Sequence, residues 1–226
     1  MMLQQVIAYF TTDGAEWLAL AIQHVSISGI ALILATVIAV PAGALAARSR
    51  IADAVASVLA GVMRVVPSLA VLILCVPYLG VGPIPAIVAL TMLAIPPILI
   101  NTATALQSVP APVLEAARGM GMNRWQVFAR VHAPLALPFA FSGVQTAATE
   151  VIASATLASY IGAGGLGVLI YTGIGALRFD LLWIGGLSVA MLSILVNRLL
   201  AHIGRRLRRH ELAAATPSPT STEAVL

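Results

Sequence analysis

The sequence predicts an all-α polytopic membrane protein with about five transmembrane helices. Three observations carry that class. Of 226 residues, 60% are hydrophobic and 9% charged, where a soluble domain carries roughly 25% charged residues. The apolar residues gather into runs that reach the roughly 20 residues needed to cross a bilayer. The charges between those runs are mostly arginine and fall in clusters.

The first run extends from about Trp17 to Ala47, long enough to tilt or to project from the membrane, and Arg48 and Arg50 end it. The second covers about Ala54 to Leu79 and closes at the turn Gly80-Val81-Gly82-Pro83. The third covers about Ile84 to Leu106, with an expected kink at Pro96-Pro97. A polar island then interrupts the chain, EAARGMGMNRWQVFARVHAPLALP from Glu115 to Pro138. The fourth run covers about Leu135 to Tyr160. A glycine-rich loop leads to the fifth, about Leu181 to Ile203, which Arg205-Arg206-Leu207-Arg208-Arg209 follows.

Positive charge marks the cytoplasmic side. Arg48, Arg50, Arg118, Arg124, Arg130 and the run Arg205 to Arg209 all fall inside when five crossings start from an external N-terminus. The outer loops then hold Arg178 and Asp180, and Asp13 and Glu16 lie on the external N-terminal segment. The expected organisation is an external segment over residues 1–16, a transmembrane domain over 17–203 and a cytoplasmic basic tail over 204–226. Its end, AAATPSPTSTEAVL from Ala213, reads as disordered.

Composition also excludes functions. All twelve basic residues are arginine, and without lysine there is no Walker A phosphate loop. Any ATP hydrolysis coupled to this chain therefore belongs to another chain. Cys75 stands alone, so no intramolecular disulfide forms. MMLQQVIAYF lacks the basic region of a signal peptide, so the first apolar run is expected to stay in the mature protein. His24, His132, His202 and His210 have no metal-ligand spacing with one another or with Cys75. No nucleophile–base pair marks an enzyme, and no metal or cofactor is expected. The run Arg205 to Arg209 follows a span at once, which suits a membrane anchor better than a nucleic-acid patch.

The island spells two short helices. Pro112 suits a first turn, Val113 to Arg118 continue it, and Gly119 can cap it. Gly121 permits a second sharp turn. Asn123 has the N-cap position with Gln126 in the capping-box position. The second helix puts Trp125, Phe128 and Val131 or His132 on one face, and Pro134 is expected to limit it. Chemistry alone leaves two readings: a loop on the lipid headgroups with Trp125 in the interfacial belt, or a surface that docks a partner.

The pattern Glu115-Ala116-Ala117, three residues, Gly121, nine residues, Val131-His132-Ala133-Pro134 resembles the EAA motif of ABC importer permeases. The family pattern is Glu-Ala-Ala, three residues, Gly, nine residues, Ile-x-Leu-Pro. Val131 and Ala133 depart from it while staying apolar. The resemblance implies a type I ABC importer (MetI-like) permease fold in the bacterial plasma membrane. It implies that the loop over 108–134 forms coupling helices that dock on a cytoplasmic ATPase, with Glu115, Ala116, Ala117, Gly121, Trp125 and Phe128 at that contact. The implied partners are two ATPase subunits, a second permease subunit, identical or paralogous, and an extracytoplasmic solute-binding protein.

Arg64-Val65-Val66-Pro67-Ser68-Leu69-Ala70, Gly80-Val81-Gly82 and the stretch Ala155 to Gly167 resemble the osmoprotectant branch. That branch imports glycine betaine, carnitine, choline or proline betaine. An amino-acid permease with the same core is the rival within the class. An ATPase-independent channel or secondary transporter is the rival outside it, although no inverted repeat is visible.

Two features need a choice between structure and function. Gly162-Ala163-Gly164-Gly165-Leu166-Gly167 contains a literal G-x-G-x-x-G, but it follows a membrane helix and not a strand, so it is no dinucleotide site. Ser154, Ala158 and Gly162 form a small-residue stripe for close packing, and the loop could also hinge during gating. Glu150 lies mid-span, where a carboxylate costs at least about 2.5 kcal/mol, so it must face the bundle interior or water. It either lines a solute path or bonds to a neighbour such as Asn101 or Ser68. Pro67, Ser68, Asn101, Glu150 and Thr156 are the candidate path residues, Arg64 is expected to snorkel to the cytoplasmic mouth, and Tyr160 and Tyr171 are the aromatic candidates at the outer mouth.

Overall fold

The computed structural model describes residues 2–215, with side chains described within 6–207. Among the described residues there are ten α-helices, one π-helical turn, one 3-10 turn and no strand. Helix α1 (Met2–Thr12) and α2 (Gly14–Ala46) meet at Asp13. The N-terminal segment is therefore mostly helical. Tyr9 is buried among Leu166, Leu169, Leu181 and Ile184 near the C-terminal helix. At 33 residues, α2 is about 50 Å long, well over the roughly 30 Å hydrocarbon thickness.

The second apolar run does not form one span. It divides into α3 (Arg50–Val65) and α4 (Ser68–Leu79), bent by 90° at the break. Ser49 starts α3 by accepting a hydrogen bond from the Ala52 N–H at 3.1 Å. The break has a local cause: proline disfavours helical geometry in the residue before it and brings no N–H of its own. Val66 accordingly sits at φ −71°, ψ 123°. Hydropathy registers both halves as oily and does not register the corner.

Helix α5 (Pro83–Gln107) is the centre of the fold and continues as one helix through the expected kink point Pro96-Pro97. One flank takes the stripe Ile27, Ala31, Ala35, Ala39 and Gly43 of α2, all buried. The other takes α8 (Ala133–Ala158) at Gly143. A methyl added at Gly43 would lie 2.7 Å from the Leu99 carbonyl oxygen, and one at Gly143 would lie 2.8 Å from that of Pro97. Lipid tails are as apolar as leucine, so close backbone approach and dispersion, rather than water exclusion, hold such helices together.

After α5 come α6 (Ala111–Gly119) and the one-turn α7 (Arg124–Val127). The expectation that Pro134 limits the second island helix is not met. From Arg124 to Ile161 the chain is one 38-residue helical span, passing through a π-helical turn at Phe128–His132. In that turn the Ala133 N–H reaches back five residues to the Phe128 carbonyl. The wider turn opens the bonding ladder just where Pro134 brings a ring and no N–H, so the helix absorbs the proline.

A 3-10 turn (Ser159–Ile161) and the glycine loop precede α9 (Gly167–Gly175), a helix within a stretch the sequence offers only as loop. It lies against α10 (Phe179–Ala215), where a methyl at Gly185 would come within 2.7 Å of Ile170. Helix α10 carries the basic run Arg205 to Arg209 inside it. Ala213–Ala215 end α10, and residues 216–226, the rest of the stretch expected to be disordered, lie outside the described residues. Among the described residues, by length and composition four helices can cross a membrane, and the bent α3–α4 pair makes up to five.

Candidate functional site

The island is built as a fixed platform with an apolar upper face. Ala117 of α6 is buried. Between the two helices Gly121 stands at φ +84°, a left-handed conformation that suits a residue with no Cβ. The expected capping box is present: the Gln126 N–H donates to Asn123 Oδ1 at 2.8 Å, and the Asn123 N–H donates to Gln126 Oε1 at 2.9 Å. Val127 is buried beneath, and His132 Nε2 donates to the Leu106 carbonyl at 2.8 Å. Pinned from below, the platform leaves Met120 72% and Trp125 73% exposed. Trp125 and Phe128 have ring centroids 6.0 Å apart, and Phe128 meets His132 edge-on. Glu115 and Ala116 are also exposed on α6.

The mid-span candidates are only partly brought together. Glu150 bonds to neither Asn101 nor Ser68. Its Oε1 accepts from Arg64 Nη2 at 3.4 Å. Arg64, the penultimate residue of α3, meets Glu150 beside the corner at Pro67. Asn101 Nδ2 donates to the Pro97 carbonyl at 2.8 Å, and its Oδ1 accepts from Ser142 at 3.3 Å. Thr156 lies six residues beyond Glu150 on α8, about 240° around the helix. Its Oγ1 is buried without a hydrogen-bond partner among the described residues.

Beyond the end of α8 the glycine loop is gripped by α2. The Gly165 N–H donates to Gln23 Oε1 at 3.1 Å, and Ser159 Oγ donates to the Gly164 carbonyl at 2.6 Å. His24 is 1% exposed, and its Nε2 lies 3.0 Å from the Ile152 carbonyl. A carbonyl only accepts, so Nε2 carries the proton. A methyl at Gly164 would overlap Gln23, and one at Gly167 would overlap Thr156 and Ser159. Gly162, Gly164 and Gly165 all have positive φ. The Gly82 N–H donates to the Ile161 carbonyl at 2.9 Å, tying the end of α4 to the same place. Reasoning from sequence weighed His24 only as a metal ligand and passed over Gln23; the available signal was two adjacent polar residues inside an apolar run.

Tyr160 and Tyr171 do come together, with ring centroids 5.8 Å apart. Arg178 Nη2 donates to Asp180, and this hydrogen bond, followed by the carboxylate charge, holds the Arg178 guanidinium above its ordinary value. Among the described residues no three His, Cys, Asp or Glu side chains gather as metal ligands.

Residues 39–209 match the family described as binding-protein-dependent transport system inner membrane component. The chain is 41% identical to the carnitine transport permease protein OpuCB of Listeria monocytogenes, over 89% of this chain and 93% of that one. It is 36% identical to the choline transport system permease protein OpuBB of Bacillus subtilis (strain 168), over 91% and 94%. It is also 36% identical to the osmoprotectant import permease protein OsmW of Salmonella typhimurium, over 85% and 92%. Among solved structures it is similar to the inward-facing MetNI methionine ABC transporter, with a TM-score of 0.75 at 23% identity over 84% of this chain and 95% of that one. An amino acid ABC transporter gives 0.73 at 19%, over 88% and 97%. At those identities the likeness speaks for the fold. The chain belongs to the family of binding-protein-dependent transport system inner membrane components, and it has the type I ABC importer permease fold.

Proposed function

We propose that this chain is the permease subunit of an ATP-driven importer of compatible solutes: glycine betaine, carnitine, choline or proline betaine. One observation carries the solute class. Relatives that match most of the chain at 36–41% identity are named for carnitine, choline and osmoprotectant transport. The amino-acid reading rests on fold likeness alone. The N-terminus lies outside and the C-terminus inside, following the arginines. An extracytoplasmic solute-binding protein delivers the solute, two ATPase subunits supply the motor, and a second permease subunit completes the path.

The exposed face of Met120, Trp125 and Phe128 is the docking surface for the ATPase, with Glu115 beside it. The capping box and the Gly121 turn support that role, because a face fixed on both sides transmits force. ATP hydrolysis takes place on the separate chain. Pro67, Ser68, Asn101, Glu150 and Thr156 line or buttress the path. The gripped loop at Gly162, Gly164, Gly165 and Gly167 is a packing joint that moves as a unit with α2 when the outer mouth opens.

The test is reconstitution. The permease, co-expressed with the ATPase and binding protein encoded beside it, is purified as one complex and placed in vesicles with ATP inside. Uptake of labelled glycine betaine or carnitine that requires ATP and binding protein is the expected result. A permease that purifies without an ATPase and transports alone refutes the proposal.

A further inference from the structure

The ion pair between Arg64 and Glu150 is oddly placed and loosely made. Among the described residues it is one of two ion pairs, and the other, Arg178–Asp180, lies at the outer loop. Arg64 stands where the second span breaks, and Glu150 stands within α8. A charge at such depth costs at least about 2.5 kcal/mol and is found facing a bundle interior or a water-filled cavity. A pair whose purpose is to neutralise two buried charges would be closed, short and saturated with hydrogen bonds. This pair has a single 3.4 Å contact from Nη2 to Oε1. The side chains are 47% and 44% exposed, and among the described residues neither Glu150 Oε2 nor the remaining guanidinium N–H groups have a partner.

We propose that Arg64 and Glu150 form a two-headed site that parts to receive a zwitterion, the guanidinium taking a carboxylate and the Glu150 carboxylate taking a quaternary ammonium. This rests on the solute class proposed above and narrows it. Arginine presents a planar fork that matches a carboxylate with two N–H groups. In the empty permease each head neutralises the other, so no bare charge is left mid-membrane. In the loaded one the solute supplies both counter-charges. A quaternary ammonium has no N–H to donate, so Glu150 holds it by charge alone, and a loose fit with quick release follows. Choline, which has the ammonium and no carboxylate, satisfies Glu150 and leaves Arg64 unpaired. The site therefore discriminates zwitterions from plain cations, a choice the relatives' names leave open.

The test uses the complete importer in vesicles, with glycine betaine and choline as the two probes. Complex yield and ATPase stimulation by loaded binding protein are read alongside uptake. The key variant is the double change Arg64→Gln/Glu150→Gln, which removes both charges and leaves neither unpaired. It is expected to assemble at wild-type yield and to lose about tenfold in glycine betaine uptake. The single change Arg64→Gln is expected to lower the uptake ratio of glycine betaine to choline by about tenfold. Wild-type glycine betaine uptake by the double variant overturns the proposal, as does an unchanged ratio in Arg64→Gln. A double variant that fails to assemble also overturns it, since the pair is then scaffold. Failure of the broader reading looks different: the wild-type importer itself takes up no quaternary ammonium solute.

Discussion

Gly143→Ala should weaken the permease, although alanine is the better helix former. The added methyl would lie 2.7 Å from Asn101 Cβ, 2.8 Å from the Pro97 carbonyl oxygen and 3.1 Å from Ile98 Cα. Carbon atoms rest at about 3.5–4.0 Å, so α5 and α8 must part by roughly 0.7–1 Å here. Two of the three obstructing atoms are backbone, which cannot rotate away. Overpacking of this kind costs about 1–3 kcal/mol, and replacing glycine inside a helix returns about 1 kcal/mol. Because that backbone cannot yield, the upper part of the overpacking range applies, about 2–3 kcal/mol, and a net loss of about 1–2 kcal/mol is expected, which for a chain of this size lowers the melting temperature by about 2–8 °C. The matched control is Gly61→Ala in α3, where nothing lies within 4 Å. There only the propensity gain remains, about 0.5–1 kcal/mol in the stabilising direction. Thermal unfolding of the purified complex measures both. Opposite signs are expected; a Gly143→Ala complex as stable as wild type would refute the packing argument.

Three further outcomes are expected. At Gly121, where φ is positive and the space is open, uptake should fall in the order Asn, Ala, Val, because asparagine tolerates that backbone and branched residues do not; equal uptake by all three would remove the turn from coupling. Trp125→Ala and Glu115→Lys should each leave permease in the membrane while the ATPase no longer co-purifies, with about 2 kcal/mol or more lost at the tryptophan if it anchors the contact; full retention of the ATPase would contradict the docking face. In a Cys75→Ser background, Asp13→Cys should react with an impermeant thiol reagent in intact cells, and Met120→Cys only after permeabilisation; the reverse pattern would invert the topology.

What was legible in the sequence was whatever a local rule governs. Asn123 and Gln126 announced their capping box because both bonds lie within four residues. Gly121 announced its turn, and the four uninterrupted spans followed from hydropathy. Position in three dimensions was much less legible. Pro67 lies inside what reads as one apolar run from Ala54 to Leu79, and a corner of 90° depends on what α4 packs against afterwards. Pro134 looked like a stop, and nothing nearby in sequence said that a π turn would carry the helix past it. Arg64 and Glu150 are 86 positions apart, and no periodicity links them. Helix α9 was hidden because its glycines read equally well as loop, and their close contact with α10 became visible only in space.

The continuity of Arg124–Ile161 changes what a power stroke must accomplish. Trp125 and Glu150 lie on one 38-residue rod, and the 25 positions between them amount to about 38 Å at 1.5 Å per residue. With an ATPase docked at Trp125 as proposed above, no relay of side-chain contacts is needed to join it to Glu150. A subunit gripping the tryptophan would hold one end of a lever, and tilting that lever by 5° about the held end would sweep the carboxylate through roughly 3 Å, about the length of one hydrogen bond. The π turn at Phe128–His132 lies on that lever between the two residues. How much of each stroke reaches the solute depends on the stiffness of those five residues.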